Sequence, residues 1–359
     1  TIIEEDNVRI LRLSIGNFQK INIIEKGITT LTIERALIRG IKNYFSNVKF
    51  DLVIYPTPPI TFCGAAEYVK KRDGACTYLM LKDIFPQNAV DLGMLKKTGL
   101  KGIIYRYFRK KEVKLYNISD IIGCMSPANV DFIVVNNVFV SASKLSICPN
   151  SLEVIDKSVD SSTRDEIRRK YTIPLDKKVF VYGGNLGKPQ DIKHLAACID
   201  SQKNNPDAIF LIVGDGTEYH ILADYVATAS PERVRLMQRL PREDYDTLVG
   251  ACDVGMIFLD HRFSIPNFPS RLLSYMQAKI PVLAVTDSNT DVGRIIEEGN
   301  FGWWCESDDV NKFVEVMGRI MASDLSIGAN GFEYMKEHYT VEYEAKKILA
   351  EVKEIGDRE

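Results

Sequence analysis

The chain is poor in the residues that build metal centres and disulfide frameworks. Its 359 residues hold four histidines, at 194, 220, 261 and 338, with no metal-ligand spacing; only His261 falls beside an expected strand end. Seven cysteines (63, 76, 124, 148, 198, 252 and 305) are scattered, odd in number and never paired as C-x-x-C. They read as reduced, mostly buried thiols, and support neither a disulfide framework nor a zinc site. No apolar run reaches the ~18 residues of a bilayer-spanning helix, and no signal peptide is visible. Neither charge dominates: 46 Lys and Arg face 48 Asp and Glu, a net charge of −2. That balance argues against a general nucleic-acid binder and leaves room for a local basic face. The dinucleotide fingerprint G-x-G-x-x-G is missing as well: "VGDGTE" (213–218) lacks its third glycine, so its glycines read as structural. The chain starts at Thr1, without methionine, inside the charged stretch "TIIEEDNVRI", and a missing N-terminal segment is expected.

What is present is an alternation of short apolar runs with helical stretches. The runs "FDLVIYPTP" (50–58), "ACTYLML" (75–81), "DIIGCMS" (120–126) and "KLSICPN" (144–150) form a first series. After a polar segment (156–171) the pattern restarts with "KKVFVYGGN" (177–185), "AIFLIVGDG" (208–216), "RVRLMQRL" (233–240), "VGMIFLD" (254–260) and "IPVLAVTD" (280–287). Strands alternating with ~10–15-residue helices predict an α/β fold with parallel sheets covered on both faces. Two series predict two Rossmann-like domains, 1–152 and 153–335, with a last helix in 336–359 that crosses back to the first.

In such sheets ligands bind beyond the carboxyl ends of the strands. "YGGNLGKPQD" (182–191) follows one strand, and its Gly183, Gly184 and Gly187 let backbone amides approach a phosphate beside Lys188. A plain strand-to-helix turn is the alternative. "SIPNFPSRLLSYMQAKIPVLAV" (264–285) places Pro269 where a first helical residue needs no N–H. The amides of Ser270 and Arg271 then face the positive end of the helix dipole, and the Arg271 fork matches phosphate oxygens. The alternative there is an ordinary helix start with a solvated arginine. "DYD" (244–246) resembles a divalent-metal D-x-D, but early acids after Pro241 are accounted for by a helix start. We therefore expect no metal.

In the first domain, Lys82, Asp83 and Gln87 lie at the rim of a strand, either to handle a hydroxyl acceptor or to cap the next segment. "LKKTGLKGIIYRYFRKKEVKLY" (95–116) spaces Leu100, Ile103, Ile104, Tyr107 and Phe108 as one helical face. Lys96, Lys97, Lys101, Arg106, Arg109, Lys110, Lys111 and Lys114 lie elsewhere on it, against Glu112 alone. Such a helix either packs its apolar face into the core or lies on an anionic membrane.

As an ordered set, "VYGGNLGKPQDI", "FLIVGDG", "RLPREDYDTLVGACDVGMIFL", "PSRLLSYMQAKIPVLAV" and "DVGRIIEEGNFGWW" resemble the donor domain of glycosyltransferase family 4. "LKDIFPQNAVDLGML", "YRYFRKKE" and "CMSPANV…ICPNS" resemble its bacterial surface-polysaccharide branch, with L-fucosamine and colanic-acid transferases. The resemblance implies the GT-B architecture, two Rossmann-like domains facing across a cleft, and retention of anomeric configuration. It places the diphosphate of a nucleotide-sugar on Asn267, Phe268, Pro269, Ser270, Arg271 and Lys188. The sugar would lie along Asp260 to Phe268, and the nucleoside among Gly214, Arg239, Leu240 and Ser274, with Gly184, Asn185 and Gln190 also on the donor side. The chain departs from the family's E-x(7)-E, with Pro266 and Ser274 at those places. Where the family has an Arg and a Lys five apart, this chain has Asn185 and Gln190. The family's first strand and its glycine loop are also absent.

The resemblance implies transfer from a UDP-sugar, an N-acetylated amino sugar among the candidates, to a lipid-linked or saccharide acceptor, without a cofactor. Arg271 and Lys188 would meet the leaving phosphate and Asp83 would serve the acceptor hydroxyl, with Lys82 and Gln87 beside it. Lys101, Arg106, Arg109 and Lys110 would bring a cytoplasmic, peripheral protein to the inner membrane face, and nucleic acid is no partner. The rival readings are a non-catalytic sugar-nucleotide-binding scaffold and a NAD-dependent oxidoreductase.

Overall fold

The computed structural model describes residues 1–14, 23–228 and 233–357. They divide into two compact units, Thr1–Cys148 with Lys347–Glu359, and Pro149–Lys346. The sequence reading draws these boundaries at 152 and 335.

The first unit opens with an antiparallel hairpin, β1 (Ile2–Glu5) and β2 (Val8–Leu11), with Ile2 opposite Leu11 and Glu5 opposite Val8. Asp6 and Asn7 both take positive φ, 45° and 67°, as a two-residue turn matched to strand twist requires. Then come α1 (Ile23–Tyr44), β3 (Leu52–Thr57), α2 (Cys63–Asp73), β4 (Cys76–Leu81), α3 (Gln87–Asp91), α4 (Gly99–Ile118), β5 (Ile121–Cys124), α5 (Pro127–Asn136) and β6 (Leu145–Ile147). The last four strands form a parallel sheet in chain order, β3-β4-β5-β6.

The second unit runs α6 (Ser161–Lys170), β7 (Lys178–Asn185), α7 (Ile192–Ser201), β8 (Ala208–Asp215), α8 (Tyr219–Thr228), β9 (Val234–Met237), α9 (Arg242–Gly250), β10 (Val254–Phe258), α10 (Arg271–Gln277), β11 (Val282–Thr286), α11 (Val292–Glu298), β12 (Gly302–Glu306), α12 (Val310–Ala322) and α13 (Gly328–His338). Its six parallel strands are ordered β12-β11-β10-β7-β8-β9. That is the doubly wound arrangement, and its order reverses between β7 and β10. Val179 to Tyr182, Leu211, Ile212 and Val282 to Val285 are fully buried, as expected of strands covered on both faces. Arg168 of α6 is also fully buried, donating to Asp253 at 2.6 Å and to the carbonyls of Ala251, Pro174 and Lys177.

The chain closes with α14 (Val341–Gly356). Its first turn belongs to the second unit, and from Lys347 onward it belongs to the first. There Ile348, Val352 and Ile355 pack with Tyr78, Ile121 and Cys148.

Candidate active site

The reversal between β7 and β10 leaves a crevice at their carboxyl ends, where neighbouring crossovers depart to opposite faces. Two sequence-predicted segments emerge there: 183–190 after β7, and the loop from Leu259 to Ser270 after β10.

Gly184, at the end of β7, takes φ +122°, a conformation that side chains rarely adopt. A Cβ there would stand 3.2 Å from Arg271 Nη2, so the bare backbone and the guanidinium are neighbours. Gly184 pairs in register with Gly214, where a Cβ would lie 1.9 Å from the Gly184 carbonyl oxygen. Gly214 is thus demanded by strand packing. Asn185 donates to Gln190 Oε1 at 2.9 Å, so the two residues that replace the family's cations hold each other. Lys188 is exposed and makes no ion pair among the described residues.

Arg271 opens α10. Its guanidinium lies 4.3 Å from the centroid of the Tyr182 ring, and its Nη1 is buried without a hydrogen-bond partner. It makes no ion pair among the described residues. Burial pushes up the phenols of Tyr182, Tyr245 and Tyr275, the last to about 12, while the nearby guanidinium opposes the rise. These groups stay neutral, so they supply no counter-charge, and the Tyr182 ring supplies cation–π attraction. A guanidinium remains protonated at any ordinary pH. The result is a positive charge with no counter-charge beside it among the described residues. Along α10 only Arg271 and Ser274 escape burial, and three residues apart they share one helix face.

The loop before α10 is held from behind. Asp287, buried at the end of β11, accepts from Thr290 Oγ1 and the Asn289 amide, each at 3.0 Å. Thr290 Oγ1 in turn accepts the Asn267 amide at 3.1 Å, and Asn289 Nδ2 donates to the Phe263 carbonyl at 2.7 Å. Burial raises the Asp287 carboxyl to about 6, against these hydrogen bonds. Phe268 is buried edge-on to Tyr339, with ring centroids 5.6 Å apart, so only its backbone remains for a ligand. α10 begins at Arg271 with Ser270 as its N-cap, so Pro269 stands one residue before the cap and not at the first helical position expected from the sequence. The Leu272 amide bonds back to the Pro269 carbonyl, and the Ser270 side chain makes no cap. Arg239 and Leu240 follow β9, Arg239 exposed and Leu240 half-buried.

Asp191, Asp260 and His261 offer ligand atoms within 4.8 Å of one another, a grouping the sequence did not suggest. Asp260 is already engaged by Arg262, at 2.5 and 2.9 Å. In "DYD", Asp246 pairs with Lys157 at 2.7 Å, Asp244 lies 3.5 Å from Lys170, and Tyr245 packs beside Gly183. Asp244 lies in the first turn of α9, while Asp246 is held by its ion pair and Tyr245 by packing.

In the first unit, Asp83 follows β4 and accepts Asn88 Nδ2 at 2.8 Å on both carboxylate oxygens. Thr57 Oγ1 braces it, accepting the Lys82 and Asp83 amides and donating to the Asp83 carbonyl. Burial lifts the Asp83 carboxyl to about 6, opposed by the Ile84 amide and Asn88, and no cation pairs with it among the described residues. Lys82 Nζ reaches the Cys148 carbonyl at 3.1 Å, and Gln87 donates to Asp91 at 2.6 Å. Both are thus tied to their own unit.

The basic helix departs from one expectation. Leu100, Ile103, Ile104 and Tyr107 do not enter the core; of that face only Phe108 packs inward, on Phe85 at 4.9 Å. Arg109 is not a free cation, since it bonds Glu112 and Asn137, each at 2.6 Å.

Residues missed by sequence reasoning are the tyrosine cage and the Asp287–Thr290 brace. Tyr182 sits directly before the glycines, a position that could have marked it. The brace joins residues 23 apart through side chains, and no local pattern announces it.

Residues 163–334 match the profile of Glycosyl transferases group 1. "Probable glycosyltransferase WbjE" of Pseudomonas aeruginosa is 26% identical over 336 residues, covering 88% of this chain and 80% of that protein. WcaI of Escherichia coli (strain K12), named for colanic acid biosynthesis, is 24% identical over 69% of this chain and 60% of that one. Among solved structures, sucrose-phosphate synthase from Thermosynechococcus elongatus superposes with a TM-score of 0.76 at 15% identity, covering 100% of this chain and 86% of the other. Anabaena Alr3699/HepE in complex with UDP superposes with a TM-score of 0.69 at 13% identity, covering 91% and 82%. The second unit is a glycosyl transferases group 1 domain, and the chain is a glycosyltransferase of GT-B fold.

Proposed function

We propose that the protein transfers a sugar, with retention, from a UDP-sugar to a hydroxyl of a lipid-linked saccharide, in bacterial surface polysaccharide synthesis. An N-acetylated amino sugar is the donor class we favour. The observation that carries this reading is Arg271: a half-buried side chain whose Nη1 is buried and unpartnered, beside the bare backbone of Gly184 at the sheet's switch point. The names of WbjE and WcaI support the polysaccharide class, and the UDP and UDP-glucose complexes of HepE support the donor class.

In this reading the bond between the anomeric carbon and the β-phosphate oxygen breaks, and the acceptor oxygen bonds to the same face of the sugar. Negative charge grows on the departing diphosphate. Arg271, Lys188 and the first-turn amides of α10 lower the barrier by meeting that charge. Ser274, on the same helix face as Arg271, meets the ribose. Asp83 takes the acceptor proton, its raised pKa suiting a base near neutrality. The nucleotide-sugar is a substrate, and the reading calls on no resident cofactor. It places the reaction at the inner face of the cytoplasmic membrane, where the acceptor is anchored.

A thermal-shift screen with UDP, GDP, ADP and CMP tests the donor. Ligand bound only by the folded state raises the unfolding midpoint with concentration. UDP is expected to stabilise most, followed by UDP release on incubation with UDP-sugars and a lipid extract. Stronger stabilisation by another nucleotide would contradict the donor assignment.

A further inference from the structure

Arg271 meets its aromatic neighbour from the other side of the sheet. Along β7 and β10, Phe180, Tyr182, Val254, Met256 and Phe258 point into one core. The alternate positions, Gly183 and Gly255, face the opposite side, because side chains alternate along a strand. There a Cβ on Gly255 would meet the Tyr275 ring of α10 at 2.3 Å, so α10 covers that second face. Yet the guanidinium of Arg271, the first residue of α10, lies 4.3 Å from the Tyr182 ring and beside Gly184, both of the first face. The side chain therefore crosses the carboxyl end of β7, and Tyr182 is the group that receives it.

Tyr182 also holds the backbone next to it. Its hydroxyl donates to the Asn185 carbonyl at 2.8 Å and so braces the loop that leaves β7. That loop is tied onward through Gln190 Oε1, which accepts Asn185 Nδ2 at 2.9 Å and the Gly187 amide at 3.3 Å. One fully buried side chain thus holds the guanidinium by its ring and the loop carrying Lys188 by its hydroxyl. Tyr275 is committed elsewhere, donating to the carbonyls of Val181 and Met256 at 3.2 and 3.0 Å.

The balance of forces makes the ring decisive. Burying Nη1 without a partner opposes the inward position of Arg271, since water outside would satisfy that donor. The attraction of a ring face for a partly desolvated guanidinium is of the same order, and no ion pair adds to it among the described residues. Without the ring the side chain gains by turning out to solvent. An anion at the site would then bind more weakly, because only a fraction of the molecules would hold the guanidinium in place.

We propose that Tyr182 is a positioning residue of the donor site: its ring holds the Arg271 guanidinium over the end of β7 to meet the diphosphate, and its hydroxyl fixes the loop from Asn185 to Gln190. This role rests on the diphosphate reading of Arg271 given above, and the test separates the two.

UDP binding to the full chain is measured by titration calorimetry for wild type, Tyr182→Phe and Tyr182→Leu, each with Arg271 and with Arg271→Ala. Tyr182→Phe keeps the ring and should weaken UDP only about three-fold, the share of one neutral hydrogen bond. Tyr182→Leu should bind roughly ten-fold more weakly than the phenylalanine variant. In the Arg271→Ala background that gap between phenylalanine and leucine should close, because the ring acts through the guanidinium. A merely structural ring would cost the same in both backgrounds. Where the leucine variant does not fold, Tyr182→trifluorophenylalanine replaces it, keeping the ring's shape while removing the negative face that attracts a cation. It too should bind UDP more weakly than Tyr182→Phe, and only when Arg271 is present. Equal UDP affinity in the phenylalanine variant and in a folded leucine or trifluorophenylalanine variant overturns the proposal, as does a gap that persists without Arg271. Wild type that binds no UDP, or Arg271→Ala that binds it undiminished, counts against the donor reading itself.

Discussion

Two buried carboxyls illustrate how a residue's surroundings set its chemistry. Asp83 and Asp287 are both raised to about 6, chiefly by burial. A carboxyl in the unfolded chain ionises near 4. The folded state therefore holds these protons more tightly, and the stability they contribute is full below about pH 4 and lost as pH rises through about 6. For Asp287 the comparison is direct: the unfolding midpoint of wild type minus that of Asp287→Asn should fall between pH 4 and pH 6. For Asp83 the readout is catalytic. Turnover should climb as pH rises through about 6, and Asp83→Asn should lose both that limb and roughly 100-fold or more in rate. An unchanged pH profile in the asparagine variant would remove Asp83 as the base. Arg168 makes a different point. Replacing it with Met removes the 2.6 Å ion pair to Asp253 and the donor to the carbonyls of Ala251, Pro174 and Lys177, and urea titration should show a loss of about 3 kcal/mol.

At the scale of elements, α10 and its leading loop work as one device because they are fastened to β11. The fastening runs from Asp287 through Thr290 to the Asn267 amide. Thr290→Val keeps the shape but leaves that amide without its acceptor. Donor KM is expected to rise about ten-fold with kcat much less affected, and Thr290→Ser should restore it; equal donor KM in the valine variant would show the loop to be self-supporting. The residues that form this device were legible in the sequence, because Arg271 and the glycines at 183 and 184 are local signals of charge and backbone geometry. Its support was not legible, since hydrogen bonds between distant loops leave no periodicity. β12 was missed for another reason: its Gly302–Glu306 run is only five residues long, holds a glycine and a glutamate, and follows the Gly299-Asn300 turn after α11. The β1–β2 hairpin was readable from Asp6-Asn7 between alternating residues, and the surrounding charge hid it. In α4 the periodicity was right and left two directions open: spacing shows that residues share a face, not whether anything covers it.

At the scale of the whole molecule, strand alternation carried the architecture. Each of the nine apolar runs became a parallel strand, and the reversal of order between β7 and β10 locates the crevice. The functional reading then turns on an electrostatic imbalance. A protein seldom buries a guanidinium nitrogen without a partner, because an unpaired buried donor is costly. Arg271 makes sense when an anion completes it. The most direct measurement is the thermal shift produced by saturating UDP in wild type, Arg271→Ala and Arg271→Lys. At a hundred times the dissociation constant, wild type should gain about 2.7 kcal/mol. The alanine variant should gain almost nothing and the lysine variant an intermediate amount, with both folded in the absence of nucleotide. A full UDP shift in a folded Arg271→Ala protein would contradict the account.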